Sequence, residues 1–143
     1  MQSAEGTFLR QTGGKGYAAR GAVEIEAGAA TNEIRLVLTG FGSSRQGDIE
    51  DASAEGYADW AAGAKTGRAY ALRVAERSDC SVTIRGISGL STDTDPTIVA
   101  AAAADAVWKA LNYVPSETVR QGVERVTLRS WNAEPGRDPG FGE

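Results

Sequence analysis

Residues 7–26 read TFLRQTGGKGYAARGAVEIE, and two extended segments flank the glycine-rich centre of this stretch. Residues 17–26 alternate small or apolar side chains with charged ones, as is typical of a half-buried strand. Residues 7–11 form a shorter β-prone run. Between them, residues 12–16 supply glycines that tolerate positive φ, which a tight strand reversal requires. The stretch therefore predicts a β-hairpin.

Periodicity and turn signals predict further elements after this hairpin. They are a third strand at residues 33–39, antiparallel to its predecessor, a helix that begins near Asp48 or Ser53, a strand at residues 81–87, a helix from Pro96 to about Asn112, and a strand at residues 123–131. The order β-β-β-α-β-α-β predicts an α+β fold. We expect a two-layer sandwich in which a mostly antiparallel sheet carries two helices on one face.

The two predicted helices carry different signals. Asp95 can cap free amides at the start of the second helix, and Pro96 at its first position gives up a donor that has no partner there. In the first helix, Gly63 and Gly67 each cost about 1 kcal/mol relative to alanine. We interpret them as positions where the helix approaches the sheet closely, with a helix break as the alternative.

Length and composition predict a single domain. The chain has 143 residues, and single domains cluster at roughly 100 to 150 residues. We place the domain at residues 1–131 and expect a flexible tail at 132–143, which is rich in proline and glycine. The longest apolar run, residues 98–104, is far below the roughly 20 residues that span a bilayer. These features predict a soluble cytoplasmic protein with no membrane partner.

The residue inventory excludes several kinds of catalysis. The chain has no histidine and one cysteine, Cys80, so histidine-based triads, internal disulfides and histidine–cysteine metal sites are excluded. The lysine of the hairpin is not part of a P-loop, because Leu9 stands where that motif needs a glycine. We expect no enzymatic activity, no cofactor and no metal. The residues Asp93, Thr94 and Asp95 are better explained by helix capping than by magnesium binding.

The charge distribution singles out the hairpin. A net charge of −4 disfavours a broad phosphate-binding surface. Residues 1–20, however, carry Arg10, Lys15 and Arg20 against Glu5, a net charge of +2. The hairpin centre is either a tight turn with a solvated lysine, the simpler interpretation, or a protruding tip whose amides and Lys15 meet an anion such as an RNA phosphate.

Residues 8–20, FLRQTGGKGYAAR, resemble the opening of domain IV of elongation factor G. In that family a lysine–glutamine–serine/threonine–glycine–glycine–arginine/lysine–glycine sequence makes the first hairpin loop. Looser similarity continues through the second strand at residues 23–26, the helix around Glu55 and Gly56, and residues 89–95 with the alanine-rich helix after them. The resemblance covers roughly residues 7–112. It implies a ribosomal protein S5 domain 2-like fold, with about four strands and two helices.

The resemblance also implies a binding surface. In the family this domain is part of a GTPase, and its tip loops enter the decoding region of the small ribosomal subunit. The matching residues here are Gln11, Thr12, Gly13, Gly14, Lys15 and Gly16 in the first loop, and Gly89, Leu90, Ser91, Thr92 and Asp93 in the second. The family often has a functional histidine in the second loop, where this chain has Leu90 or Ser91, and the GTPase domain is missing. Translocation activity is therefore not carried over.

Three hypotheses follow. The leading one is a non-catalytic module that binds the ribosome, ribosomal RNA or a ribosome-associated partner through both loops, with Arg10, Lys15 and Arg20 contacting phosphates. The second is a protein-interaction or homo-oligomeric domain on the same fold, with no role in translocation. The third, a small-molecule enzyme on this fold, has no supporting motif. The sequence does not predict the oligomeric state.

Overall fold

The computed structural model describes residues 2–12, 15–27, 34–36, 50–51, 58–77, 80–89 and 94–129. These ranges contain the strands β1 (Gln2–Thr12), β2 (Lys15–Ala27), β3 (Ile34–Leu36), β4 (Glu50–Asp51) and β5 (Cys80–Gly89), and the helices α1 (Ala58–Val74), α2 (Pro96–Ala110) and α3 (Glu117–Leu128). The strands form one sheet, and α1 and α2 pack over one of its faces. The predicted α+β, two-layer architecture is confirmed.

The sheet is mostly antiparallel. Its strand order is β1-β2-β5-β3, and β4 also pairs with β5. The predicted hairpin is confirmed, because β1 and β2 pair from Gln2 with Ile25 to Thr12 with Lys15. Strand β5 then pairs antiparallel with β2 and brings Gly89 beside Ala19.

The third strand lies elsewhere than predicted. Strand β3 pairs in parallel with β5, on the side away from β2. The prediction that this strand is antiparallel to its predecessor β2 was therefore wrong. Consecutive strands are usually neighbours, but here β5 occupies that position. A helix start near Asp48 was also wrong, because residues 50 and 51 form β4 against Ser88 and Gly89. The first helix runs over Ala58–Val74.

The predicted fifth strand at residues 123–131 was wrong, because α3 occupies Glu117–Leu128. The Oγ of Ser116 accepts the Val119 amide at 3.2 Å and caps the helix. The buried residues of α3 are Val123 and Thr127, which are four positions apart and so share one helix face. A short valine-rich segment fits both periodicities, and the cap decides for the helix.

Helix α2 is the centre of the core. Eleven of its fifteen residues are buried, including the whole run 98–104. Its predicted start is confirmed, since Asp95 accepts the Ile98 amide at 2.8 Å and Pro96 occupies the first turn. At the other end Asn112 adopts φ 57°, a left-handed conformation that asparagine tolerates. None of the helices in the described ranges is long and apolar enough to cross a bilayer.

The glycines of α1 serve a close approach, but to α2 rather than to the sheet. A Cβ at Gly63 would overlap the carbonyl of Pro96, and one at Gly67 would overlap the carbonyl of Ala100. From the other side, a Cβ at Gly6 of β1 would overlap the backbone of Ala106. The alanine-rich α2 is therefore held at backbone contact distance between α1 and the sheet. Gly56 lies outside the described residues, as does the predicted tail at 132–143.

Candidate binding surface at the hairpin end of the sheet

The two predicted tip loops leave the sheet at the same end. The second loop follows Gly89, the last residue of β5, and Gly89 pairs with Ala19 of β2. The hairpin continues past this point to the pairing of Thr12 with Lys15. At 3.3–3.4 Å per residue, the four residues from Ala19 to Lys15 carry it about 13 Å beyond the end of β5. The hairpin therefore projects past the start of the second loop.

The first loop is described by its flanks. Gln11 pairs with Gly16 and Thr12 with Lys15, so four of the six predicted residues belong to the closing pairs of the hairpin. Gly16 is half-buried. The other two predicted residues, Gly13 and Gly14, lie outside the described residues.

The second loop is described only where it begins and ends. Leu90, Ser91, Thr92 and Asp93 lie outside the described residues. The buried Gly89 packs against Thr94, and a Cβ at Gly89 would overlap the Thr94 side chain. The Thr94 hydroxyl in turn donates to the Ala18 carbonyl. This bond fixes the end of the second loop to the hairpin and explains why a glycine stands at position 89.

Arg10 lies on the helix side of the sheet, where it has other partners. Its Nε donates to Glu124 Oε1 of α3 at 3.0 Å, and its Nη1 donates to the Leu9 carbonyl at 2.7 Å. The guanidinium also lies 4.8 Å from the centre of the Phe8 ring. A phosphate contact at Arg10 would compete with these interactions. Sequence reasoning missed Glu124 because that segment was predicted as a strand.

Arg20 lies on the opposite face of the sheet, which we call the open face because none of the described helices packs on it. Cross-strand pairing places Arg20 in one row with Thr7 and Ser88. Arg20 is exposed, and none of the ion pairs among the described residues involves it. Its guanidinium is therefore available to an external anion.

A small pocket lies on the open face between the roots of the two loops. Its volume is about 120 Å³, and its lining residues are Thr7, Leu9, Ala18, Ala19, Arg20, Ser88 and Gly89. Leu9 and Ala18 face each other across β1 and β2, nearer the tip than Arg20. Leu9 is 61% exposed and is, with Val114, one of the two large apolar side chains exposed among the described residues. Sequence reasoning missed this pocket, because three strands must pair in the correct register to form it.

The open face is electrostatically polarised along its length. Its acidic residues Glu5, Glu24 and Glu26 lie farther from the tip than Arg20, in register with Ala22, Thr83 and Ser81. Arg85 Nη2 lies 2.9 Å from Glu24 Oε2, so this cation is already paired. Arg20, which has no ion-pair partner among the described residues, thus lies beside the apolar pocket at the loop end of the face.

A larger cleft of about 270 Å³ lies on the helix side, between β1, α2 and α3. Its charges are satisfied within the protein. Asp105 accepts the Thr7 amide at 3.0 Å and pairs with Lys109 at 2.9 Å, and Arg120 pairs with Glu117 at 2.9 Å. Among the described residues, no group of three or more histidine, cysteine, aspartate or glutamate side chains is arranged to hold a metal ion.

Two side chains of α1, Arg68 and Tyr70, have pKa values shifted by burial. Arg68 is 1% exposed, and burial lowers the pKa of its guanidinium to about 10. Its Nη1 donates to the Val82 carbonyl at a long 3.5 Å, and within the described ranges its Nε has no hydrogen-bond partner. Burial also raises the pKa of Tyr70, opposed by nearby Arg73. Both groups are part of the packed interior.

Comparison with known proteins supports the architecture. The chain is similar to the crystal structure of ttk003000868 from Thermus thermophilus, with a TM-score of 0.61 and 17% sequence identity. The match covers 80% of this chain and 16% of that protein. No protein-family profile and no curated protein matches the chain. At this identity the similarity shows a shared fold. The matched region is a small part of the Thermus thermophilus protein, which is much longer than this chain.

Proposed function

We propose that this protein is a non-catalytic, translation-factor-like domain that binds the ribosome or ribosomal RNA through its two tip loops. The observation that carries the proposal is the pairing of Ala19 with Gly89, which brings the roots of both loops to one end of the sheet. A surface of two adjacent loops can contact one ligand at two points. The sequence resemblance of residues 8–20 to domain IV of elongation factor G supplies the class of ligand.

The charges agree with a small, local contact. Lys15 belongs to the closing pair of the hairpin, and Arg20 is exposed and unpaired among the described residues. Arg10 is engaged with Glu124, so we expect about two phosphate contacts rather than three. For two contacts, the logarithm of the binding constant should fall with the logarithm of salt concentration at a slope of roughly −1.4 to −1.8.

The proposal assigns no translocation or GTPase activity to this chain. The second loop has no histidine, and the chain has neither a P-loop nor any histidine for catalysis. It acts in the cytoplasm, as a binding module with no cofactor. The apolar pocket on the open face is the observation that favours the second candidate, a protein-interaction domain, and its occupant is argued separately below.

Co-sedimentation with ribosomes and isolated small subunits across a salt series tests the proposal. We expect the protein to sediment with small subunits at low salt and to be released as salt rises. Lys15→Glu should weaken binding about tenfold and reduce the salt slope by about 1. Arg125→Glu is the matched control, because it makes the same kind of charge change on the exposed surface of α3. No binding at low salt, or equal losses in both variants, would overturn the proposal.

A further inference from the structure

We infer that the open-face pocket is a docking site for a partner protein that presents an aliphatic side chain next to a carboxylate. The inference goes beyond ribosome binding by the tip loops. It concerns the open-face pocket beside the roots of the loops, and Arg20 is the residue that the two proposals share. Small-subunit binding with the Lys15→Glu variant and peptide binding to the pocket are measured separately, so the failure of one proposal is distinguishable from the failure of the other.

The volume and lining of the pocket define the first half of this ligand. About 120 Å³ is room for one medium-sized side chain. The exposed Leu9 and the half-buried Ala18 offer methyl groups from two paired strands. Covering them with an apolar group removes this surface from water, which favours binding by roughly 25 cal/mol per Å² of apolar surface buried. An aliphatic side chain suits this lining best.

The charge at the rim defines the second half. Arg20 lines the pocket, is exposed and has no ion-pair partner among the described residues. The other arginine of this face, Arg85, is already paired with Glu24. A carboxylate on the ligand would complete a charge-assisted hydrogen bond with Arg20. The acidic residues Glu5 and Glu24 lie farther along the face and would repel it there, which fixes its position at the loop end.

A nucleotide matches this pocket less well than a peptide does. In the described part of the open face, no aromatic ring is available on which a base could stack, and such stacking is the usual basis of single-strand binding. A base would also bring ring nitrogens and carbonyls against Leu9 and Ala18. The polar groups that meet these two side chains would lose water without gaining a hydrogen-bond partner there. The aliphatic lining therefore favours a peptide.

Short capped peptides test the inference on the full chain labelled with ¹⁵N. The probe is acetyl-Asp-Leu-Asp-amide, and its controls are acetyl-Asp-Ala-Asp-amide and acetyl-Lys-Leu-Lys-amide. Amide shifts are followed in ¹H–¹⁵N NMR spectra up to peptide concentrations of about 10 mM, since a single side chain and one ion pair give weak binding. We expect the largest shifts at Leu9, Ala18, Arg20 and Gly89. Both controls should bind about tenfold more weakly.

Variants of the protein complete the test. Arg20→Glu should lower the affinity for acetyl-Asp-Leu-Asp-amide about tenfold or more, because it replaces attraction by repulsion. Arg125→Glu on α3 should leave the affinity for this peptide unchanged. The folded spectrum of each variant shows that the sheet is intact. No shifts at the pocket, or equal binding of the leucine and alanine peptides, would overturn the inference. Stronger shifts there with adenosine 5′-monophosphate would show that the pocket binds a nucleotide and would overturn the inference. Pocket shifts that depend on protein concentration alone would show that it binds a second copy of this chain, which would also overturn it.

Discussion

The two faces of the sheet are built on opposite principles. On the helix face, the backbone of α2 lies at contact distance from β1 at Gly6 and from α1 at Gly63 and Gly67. On the open face, Leu9 and Arg20 extend into solvent and no described helix covers them. Small changes on the helix face should therefore act on stability, and changes on the open face should act on binding.

The two faces also differ in whether their polar side chains have partners within the protein. On the helix side the Trp108 Nε1 donates to the Ala71 carbonyl at 3.1 Å, and the Tyr17 hydroxyl donates to the Leu128 carbonyl at 2.9 Å. These bonds connect helices and strands inside the fold. On the open face, Arg20 has no such partner among the described residues. A polar group left available on a rigid support is what a binding surface requires.

The largest effect is expected for Gly67→Ala in α1. The added methyl would overlap the carbonyl of Ala100, so the two helices must separate along their whole contact. We expect a loss of about 3 kcal/mol in the free energy of unfolding, which is the upper range for overpacking. Urea unfolding followed by circular dichroism measures it. A loss below about 1 kcal/mol would break the claim that α1 and α2 meet at backbone distance.

The next largest effect is an increase in the free energy of unfolding, which we expect for Arg68→Met. This change keeps a long side chain but removes a buried charge whose Nε has no partner among the described residues. We expect stabilisation by roughly 1 to 2 kcal/mol at neutral pH. Burial lowers the pKa of Arg68 to about 10, so its charge destabilises the fold fully below pH 10 and progressively less above it.

The advantage of Arg68→Met over the unchanged protein should therefore be constant up to about pH 9 and shrink as pH rises through 10. Because the unchanged protein is measured in parallel at every pH, effects common to both proteins cancel in the difference. Paired urea unfolding curves from pH 7 to about pH 11 measure it. A destabilised variant at pH 7 would mean that the guanidinium makes a favourable interaction in the fold.

A smaller increase in the free energy of unfolding is expected for Gly122→Ala in α3. Like Gly67→Ala, this change replaces a helical glycine by alanine. A Cβ at Gly122 has no neighbour within 4 Å, so the methyl meets open space. Replacing a helical glycine by alanine should then stabilise by about 1 kcal/mol. The opposite signs of the two glycine changes distinguish the packed helix from the peripheral one. Destabilisation by Gly122→Ala would show that α3 packs more tightly than the structure describes.

The smallest effect on stability is expected for Arg20→Glu on the open face. The side chain is exposed and makes no ion pair with a described residue, so the free energy of unfolding should change by less than about 0.5 kcal/mol. Thermal and urea unfolding both measure it. A loss above about 1 kcal/mol would assign Arg20 a structural role and remove the basis for treating the open face as a binding surface.

Local sequence signals predicted the parts of the fold that depend on local rules. The hairpin follows from strand alternation around adjacent glycines, and the start of α2 from Asp95 and Pro96. The strand predicted at 123–131 failed because alternation and helical spacing overlap in so short a segment. The parallel position of β3 could not be predicted, because it depends on pairing with β5, a strand that lies much farther along the chain.

The candidate surface was predicted only in part. Sequence reasoning placed Arg10 and Arg20 together as hairpin cations, but the two side chains lie on opposite faces of the sheet. Position parity within the hairpin, combined with the burial of Phe8 and Ala19, would have separated them. The pairing of Arg10 with Glu124 required knowledge of α3. The pocket at Leu9 and Ala18 required the register of three strands.

Transferred cross-saturation from protonated small ribosomal subunits to the deuterated, ¹⁵N-labelled protein would locate the ribosome-binding surface. It reports, residue by residue, which amides lie against the bound particle. We expect signal loss concentrated at residues 9–20 and 88–94, with α3 unaffected. Loss centred on α3 or on the helix-side cleft, or no transfer at low salt, would contradict the assignment of binding to the hairpin end of the sheet.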